Sequence, residues 1–254
     1  MSKRTKLILV IALIAAPAAA YLAYENVPVQ EISERINPPQ YQQPTNNTQT
    51  PNEGEELVLP KTVLLDVPFT SQAPTAKWSD PRQQDGCEEA SILMAYMWLT
   101  GKTYTAREAE AEIIALSDYQ EREYGEFVDR SITDTGKLFA EYYNHENYEI
   151  RRRIDAEDIK TELAKGNLII VPSNGQILAN PNYTGAGPIT HMLPVIGYDD
   201  TTREFITNDP GTRNGRQFRF KYDTLINAIY DYETGEHVGY KKTETVMMIV
   251  KKNS

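Results

Sequence analysis

The 254-residue sequence predicts an α+β domain that follows an N-terminal segment of different character. Three observations lead to this class. Segments with helical periodicity cluster in the first half of residues 61–254, short apolar strands follow in the second half, and the two types do not alternate often enough for a doubly wound sheet. The roughly 194 residues of this region suffice for one domain with an ordinary core.

The first 24 residues are predicted to take the chain to or through a membrane. Lys3, Arg4 and Lys6 precede an uncharged run at 7–24, LILVIALIAAPAAAYLAY. A basic patch before an apolar run is typical of a signal peptide or a membrane anchor, and about 18 residues are near the lower limit for a span. We favour an uncleaved anchor over a signal peptide cleaved in the small-residue stretch APAAA. In both cases the rest of the chain is expected to lie outside the cell membrane.

Residues 25–60 are predicted to be a disordered spacer between this segment and the domain. The stretch is rich in Pro, Gln, Asn and Thr and lacks apolar periodicity, so it cannot bury enough surface to fold. A partly ordered arm that packs on the domain is the alternative.

Charge and cysteine content narrow the possible functions. The formal net charge is −10, and because the three basic residues at the start contribute +3, the rest of the chain carries −13. An acidic body of this kind argues against nucleic acid or anionic lipid as a partner of the domain. One cysteine cannot form an internal disulfide, and one cysteine with three scattered histidines forms no metal-ligand spacing. No metal or cofactor is therefore expected.

The elements of the domain are predicted in the following order. Residues 62–69 alternate as a strand does. A helix begins at Cys87 and ends near Thr100, where Gly101 is the natural stop, and its apolar residues occupy every face, so it should be buried all round. Further helices are predicted at 105–116 (with Thr105 as the cap), 133–144 and 155–166, and strands at 168–173, 191–199, 203–209, 217–223 and 245–251.

Cys87 is the only cysteine, and it stands at the first turn of the buried helix. Free N–H groups and the helix dipole stabilise a thiolate at this position. Glu88 and Glu89 oppose it with their negative charge, so a nucleophilic Cys87 needs a cationic partner, which means histidine. The alternative is a small buried core residue, the commonest fate of a free cysteine.

His191 is the candidate partner among the three histidines. His145 and His237 lie in polar, loop-like contexts, whereas His191 opens a strand that is apolar on both faces. A hairpin turn centred near Asp200 would place His191 opposite Asp209, with Cβ atoms roughly 5 Å apart. A carboxylate there would orient the imidazole and fix its tautomer.

The register of this hairpin is the open point of the prediction. A slip by one residue selects Asn208 instead of Asp209 and flips the face. Pro194 removes one ladder donor inside the strand, so an irregularity is expected there. The NDPG sequence at 208–211 would also suit a simple turn.

Four sequence blocks, taken in order, resemble the peptidase family thirty-nine-like (C39-like) domains. They are VPF-TSQ, DGCEEAS, HMLPVIGYD and FITNDPG, and the resemblance covers roughly Val63 to Lys251. These domains are relatives of the bacteriocin-processing, double-glycine cysteine peptidases of the papain-like superfamily. The resemblance implies a papain-like α+β fold, with a helical first half, the nucleophile at the N-terminus of a central helix, and an antiparallel sheet in the second half.

The resemblance also implies a nucleophile, a general base, an orienting acid and an oxyanion donor, which are Cys87, His191, Asp209 and Gln72. Gln72 stands fifteen residues before Cys87, more than in compact relatives, so Gln83 and Gln84 remain alternatives as the oxyanion donor. The GCEE sequence replaces the Cys-Gly of many relatives and is expected to reshape the site beside the thiol.

The sequence thus predicts an exported, membrane-anchored cysteine peptidase or amide hydrolase that acts through a thioacyl-enzyme. Its expected partners are a peptide or protein substrate, with a cell-envelope component among the candidates, and the membrane through the N-terminal segment. An acyl transferase with the same thioacyl chemistry is one alternative. A non-catalytic papain-like binding module at the cell surface is the other.

Overall fold

The computed structural model describes residues 58–235 and 244–253. The predicted anchor at 1–24, nearly all of the predicted spacer, and His237 lie outside these residues. Within the two described ranges, no helix combines the length and the apolar character that a membrane crossing requires. Contacts with the domain begin ahead of residue 61, because the Tyr198 hydroxyl donates a hydrogen bond to the Pro60 carbonyl at 2.7 Å.

Helices dominate residues 81–164, and two short helices follow later in the described part of the chain. In order the helices are α1 (Pro81–Gln84), α2 (Cys87–Thr100), α3 (Ala106–Tyr124), α4 (Ile132–Tyr143), α5 (Ala156–Ala164), α6 (Gly175–Leu178) and α7 (Tyr222–Ala228). The predicted bounds of α2 are confirmed, and Gly101 ends it in the left-handed conformation with φ 68°. Thr105 caps α3 in a capping box with Glu108, and α3 continues eight residues beyond its predicted end. The short helices α1, α6 and α7 were not predicted.

The strands form an antiparallel sheet. They are β1 (Thr62–Leu64), β2 (Tyr148–Arg152), β3 (Leu168–Ser173), β4 (His191–Asp199), β5 (Glu204–Thr207), β6 (Phe218–Lys221) and β7 (Val246–Val250). Among the described residues the order is β2-β7-β3-β4-β5-β6, and β1 pairs with β4. Every one of these pairings is antiparallel. The α+β prediction is confirmed, although β2 was missed and the strand predicted at 62–69 shortens to β1.

The sheet separates two apolar cores. Along β3, Leu168 and Ile170 face one core, and Ile169 and Val171 face the other, as the period of two in a strand requires. The first core contains α2, α3 and α4, and the second contains α5 and α7. Because both faces of the sheet are covered, β3 is buried throughout and β4 is buried up to Tyr198, which explains their continuous apolar sequence.

The predicted register of the β4–β5 hairpin is wrong. Its last pair is Asp199 with Glu204, so the turn is centred between residues 201 and 202 and not at Asp200. The register also shifts between Val195 and Gly197. This irregularity lies next to Pro194, the strand residue that lacks a backbone donor, as the sequence led us to expect. The pairing argument therefore gives no reason for His191 to lie opposite Asp209.

Candidate active site

Cys87 is the first residue of α2 and lies in the wall of a cavity of about 1030 Å³. Gly86 makes this position possible, because a Cβ atom there would lie 2.6 Å from the Arg82 carbonyl oxygen. The close approach packs the start of α2 against α1, and Cys87 is 5% exposed. His191 and Gln72 line the same cavity, so the structure brings three of the four predicted site residues to one place.

The fourth residue, Asp209, lies behind His191. The Nε2 atom of His191 is 2.8 Å from Oδ1 of Asp209, and both side chains are fully buried. A carboxylate only accepts hydrogen bonds, so Nε2 carries the hydrogen and Nδ1 is the basic nitrogen of the neutral ring. The contact arises beyond the paired part of the hairpin, since β5 ends at Thr207. The loop that follows β5 carries Asp209 to the imidazole.

Two side chains from the loop before β4 hold the second oxygen of Asp209. Tyr183 donates its hydroxyl hydrogen to Oδ2 at 2.6 Å, and Asn180 donates from Nδ2 at 2.8 Å. Burial alone would raise the pKa of Asp209, but the charge of His191 and the hydrogen bonds from His191, Tyr183 and Asn180 lower it below its ordinary value. Asp209 therefore stays ionised. Sequence reasoning missed both donors, because only the tertiary fold brings their Asn- and Gly-rich loop to the site.

Asn208, the alternative to Asp209, forms hydrogen bonds with backbone groups instead. Its Nδ2 donates to the Val67 carbonyl at 3.0 Å, and its Oδ1 accepts a hydrogen bond from the Gln217 N–H at 3.1 Å. These two bonds join the segment after β1 to the start of β6. The hydrogen bond to His191 is made by Asp209.

Gln72 lies beside the start of α2, with its Cβ 3.6 Å from the position that a Gly86 Cβ would occupy. Its Nε2 donates to the carbonyls of Gln83 at 3.1 Å and Gln84 at 2.7 Å. A substrate oxygen would have to replace one of these carbonyls to receive a hydrogen bond from Gln72. Of the alternatives, Gln83 donates to Glu110 at 3.2 Å outside the cavity, whereas Gln84 lines the cavity.

The immediate surroundings of the thiol are acidic. Cys87 Sγ donates a hydrogen bond to Oε2 of Glu88 at 3.0 Å. Burial, followed by the charges of Glu88, Asp129 and Glu89, raises the pKa of Cys87 well above its ordinary value. Burial and the carboxylates together therefore favour the protonated thiol while Glu88 is ionised. In the described part of the chain, no three His, Cys, Asp or Glu side chains are grouped so as to hold a metal ion.

A thiol at a helix N-terminus and an imidazole–carboxylate pair, with the thiol and the imidazole in the wall of one cavity, are the arrangement of a cysteine peptidase-like domain. The chain belongs to the Peptidase_C39 like family, whose sequence profile matches residues 64–242. The resemblance predicted from the four sequence blocks is thereby confirmed. A comparison with curated proteins gave no match.

Solved structures with a similar backbone include three cysteine peptidase-like proteins. A protein described as a C39-like peptidase from Bacillus anthracis has 14% identity and a TM-score of 0.48, over 77% of this chain and 100% of the other. Xylellain, a cysteine protease from Xylella fastidiosa, has 17% identity and a TM-score of 0.35, over 81% and 91%. The Carica candamarcensis cysteine protease CMS1MS2 has 14% identity and a TM-score of 0.35, over 77% and 100%.

Proposed function

We propose that the protein is a cysteine peptidase, or a hydrolase of a related amide bond, with Cys87 as the nucleophile. The observation that carries this proposal is the common cavity of Cys87 and His191, with His191 hydrogen-bonded to Asp209 at 2.8 Å. A buried imidazole with one nitrogen held by an ionised carboxylate is prepared to accept a proton at the other nitrogen. Membership of a peptidase-like family supports the same chemistry.

In this mechanism Cys87 gives its proton to Nδ1 of His191, and the sulfur attacks the carbonyl carbon of the scissile amide. The amide N–C bond then breaks, and the imidazolium returns the proton to the leaving amine, so that a thioacyl-enzyme remains. Water, deprotonated by His191, hydrolyses the thioester and restores the thiol. Asp209 keeps the ring in the required tautomer and stabilises its positive charge.

The carbonyl oxygen becomes negative in the tetrahedral intermediate and needs donors. Cys87 is the first residue of α2, so its N–H lies outside the helical hydrogen-bond ladder and is a suitable donor. Gln72 is the proposed second donor, with one amide hydrogen moving from a backbone carbonyl to the substrate. The proposed substrate is a peptide or protein, and a cell-envelope component is one candidate.

Comparison of two histidine variants tests this function. His191→Ala should abolish hydrolysis in a mixture of fluorogenic peptides, because the proton acceptor is lost. His145→Ala is the matched control, since His145 is also buried but contacts the Lys251 carbonyl and does not line the cavity. Equal loss in both variants, or unchanged hydrolysis in His191→Ala, would reject the proposal.

We also propose that the N-terminal segment anchors the domain at the outer face of the cell membrane. The support is the basic patch and the uncharged run at residues 7–24. Alkaline carbonate extraction of membranes should leave the full chain in the pellet and release a variant that lacks residues 1–24. Protease added to intact cells should degrade the anchored domain. A full-length chain found in the carbonate supernatant, or protected inside intact cells, would contradict this location.

A further inference from the structure

The carboxyl group of Glu88 is fixed against the thiol of Cys87. Oε2 accepts a hydrogen bond from Sγ at 3.0 Å. Oε1 accepts hydrogen bonds from the Tyr232 hydroxyl at 2.6 Å and from the backbone N–H of Arg130 at 3.3 Å. Glu88 is only 1% exposed, so water does not screen the carboxyl group. Both oxygens accept hydrogen bonds, and the donor to Oε2 is the sulfur that the proposed reaction uses.

The surroundings of the Cys87–Glu88 pair come from several elements and are mostly acidic. The groups nearest the pair are Glu89 on α2, Asp129 and Arg130 before α4, and Tyr232 after α7. The cavity that Cys87 lines adds further titratable or charged groups, which are Asp85 before α2, Tyr183 before β4, His191 on β4 and Arg213 after β5. The guanidinium of Arg130 is directed elsewhere, to the Gln120 amide oxygen and over the ring of Tyr124. A second negative charge on Cys87 is therefore opposed by nearby carboxylates.

We propose that Glu88 is a further catalytic residue, whose neutral carboxylic acid donates a hydrogen bond from Oε2 to the Cys87 thiolate. This inference rests on the proposed role of Cys87 as the nucleophile. When Glu88 is ionised, transfer of the thiol proton to His191 would leave two anions 3.0 Å apart in a buried site. When Glu88 holds its own proton, the same transfer leaves one anion beside an O–H donor. Cys87 loses one proton and His191 gains it, and Glu88 keeps its own.

The inference makes thiolate formation dependent on the protonation of Glu88. Burial, together with the charge of Asp129, raises the pKa of Glu88 to about 7, against the hydrogen bond from Tyr232, which lowers it. Reactivity of Cys87 should therefore be highest below pH 7. It should fall roughly tenfold by pH 8, because one pH unit above its pKa only about a tenth of a carboxyl group is protonated.

The test is the second-order rate of Cys87 alkylation by iodoacetamide in the full chain between pH 5 and 8.5. Cys87 is the only cysteine, so the signal needs no assignment. In Glu88→Gln the amide nitrogen replaces Oε2 and donates to the sulfur at every pH. The wild-type rate should fall through pH 7, and the rate of Glu88→Gln should stay level there. Parallel profiles for the two proteins would overturn the proposal.

Two further variants separate the effect of the Glu88–Cys87 hydrogen bond from the effect of the surrounding negative charges. Glu89→Gln is the matched control, because Glu89 accepts from Gln120 at 2.5 Å and acts on Cys87 through its charge, whereas Glu88 is the hydrogen-bond partner of Sγ. The alkylation rate of Glu89→Gln should still fall through pH 7, and a level rate like that of Glu88→Gln would overturn the proposal. Tyr232→Phe removes a donor that favours the ionised form of Glu88. The fall in the alkylation rate of Tyr232→Phe should therefore occur at higher pH than in the wild type. A fall at unchanged or lower pH would contradict the assignment of the titrating group to Glu88.

Alkylation needs no substrate, so this test is independent of hydrolysis. A chain with the expected alkylation profiles that cleaves no peptide would support the role of Glu88 and reject the peptidase. A chain that cleaves peptides through Cys87, but whose alkylation does not depend on Glu88, would reject the Glu88 proposal alone.

Discussion

Replacement of Glu88 by glutamine should stabilise the fold at pH 8 and not at low pH. Burial, with the charge of Asp129, raises the pKa of Glu88 from its ordinary value of 4.5 to about 7. Between these values the folded protein holds a proton that the unfolded chain has lost. The stability that comes from this proton is complete below about pH 4.5 and is lost as the pH rises through about 7.

The size of the effect follows from the difference between the two pKa values. At about 1.4 kcal/mol per pH unit, the whole contribution of Glu88 is roughly 3 kcal/mol, and most of it is lost between pH 5 and pH 8. Glutamine does not titrate. It keeps an oxygen for the Tyr232 hydroxyl and the Arg130 N–H, and its amide nitrogen lies beside Cys87.

The assay is urea denaturation of the wild-type protein and Glu88→Gln, followed by circular dichroism at pH 5 and pH 8. The free energy of unfolding of the variant, relative to the wild type, should increase by roughly 2–3 kcal/mol between the two pH values. Glu110→Gln is the control, because the ion pair with Lys77 lowers the pKa of Glu110 and keeps it ionised in this range. A constant difference between the wild type and Glu88→Gln would refute the reasoning.

Three further predictions concern the residues around His191 and the oxyanion. Asp209→Asn should reduce kcat strongly with little change in KM, measured on variants with matched thermal melts, because the amide cannot stabilise the imidazolium. In contrast, Asn208→Ala should lower the free energy of unfolding by about 1–3 kcal/mol, because two hydrogen bonds to the backbone are lost. The folded variant should retain kcat. A larger loss of kcat in Asn208→Ala than in Asp209→Asn would show that Asn208 orients His191. Tyr183→Phe should raise the pKa of Asp209, so the acid limb of the kcat/KM profile should move to higher pH, and an unmoved limb would show that the hydroxyl does not act on this carboxylate. Gln72→Ala should lower turnover of a model peptide by roughly 100-fold, the usual loss for one oxyanion donor, whereas a larger loss in Gln84→Ala would reassign that role.

The parts of the fold that could be predicted are those with a local signal. The bounds of α2 follow from a mainly apolar run that ends at Gly101, and β4 follows from a run with no charged residue between His191 and Asp199. By contrast, β2 reads YEIRR and carries three charges, so it has no apolar pattern of its own. Pairing with the buried β7 makes it a strand, and only the tertiary structure supplies that partner.

In the candidate site, too, some features could be predicted from the sequence and others depend on the tertiary structure. The family resemblance, carried by four sequence blocks in order, implied Cys87, His191 and Asp209. The contact between the last two was predicted from a hairpin register that proved wrong, since the hairpin turns later and a bulge shifts the pairing. The sequence also placed Glu88 next to Cys87 but could not show that its carboxyl group is buried and hydrogen-bonded to the thiol, because the groups that enclose it come from residues 129–130 and 232.

The central claim, that Cys87 forms a thioacyl-enzyme, is tested most directly with an activated p-nitrophenyl ester, for which deacylation is the slow step. Rapid mixing at pH 6 should release a burst of about one p-nitrophenol per chain, the kinetic sign of an accumulating acyl-enzyme. Acid quenching and mass spectrometry should then find the acyl group on the peptide that contains Cys87. A steady release without a burst, with Cys87 unmodified and an equal rate in Cys87→Ala, would contradict the account.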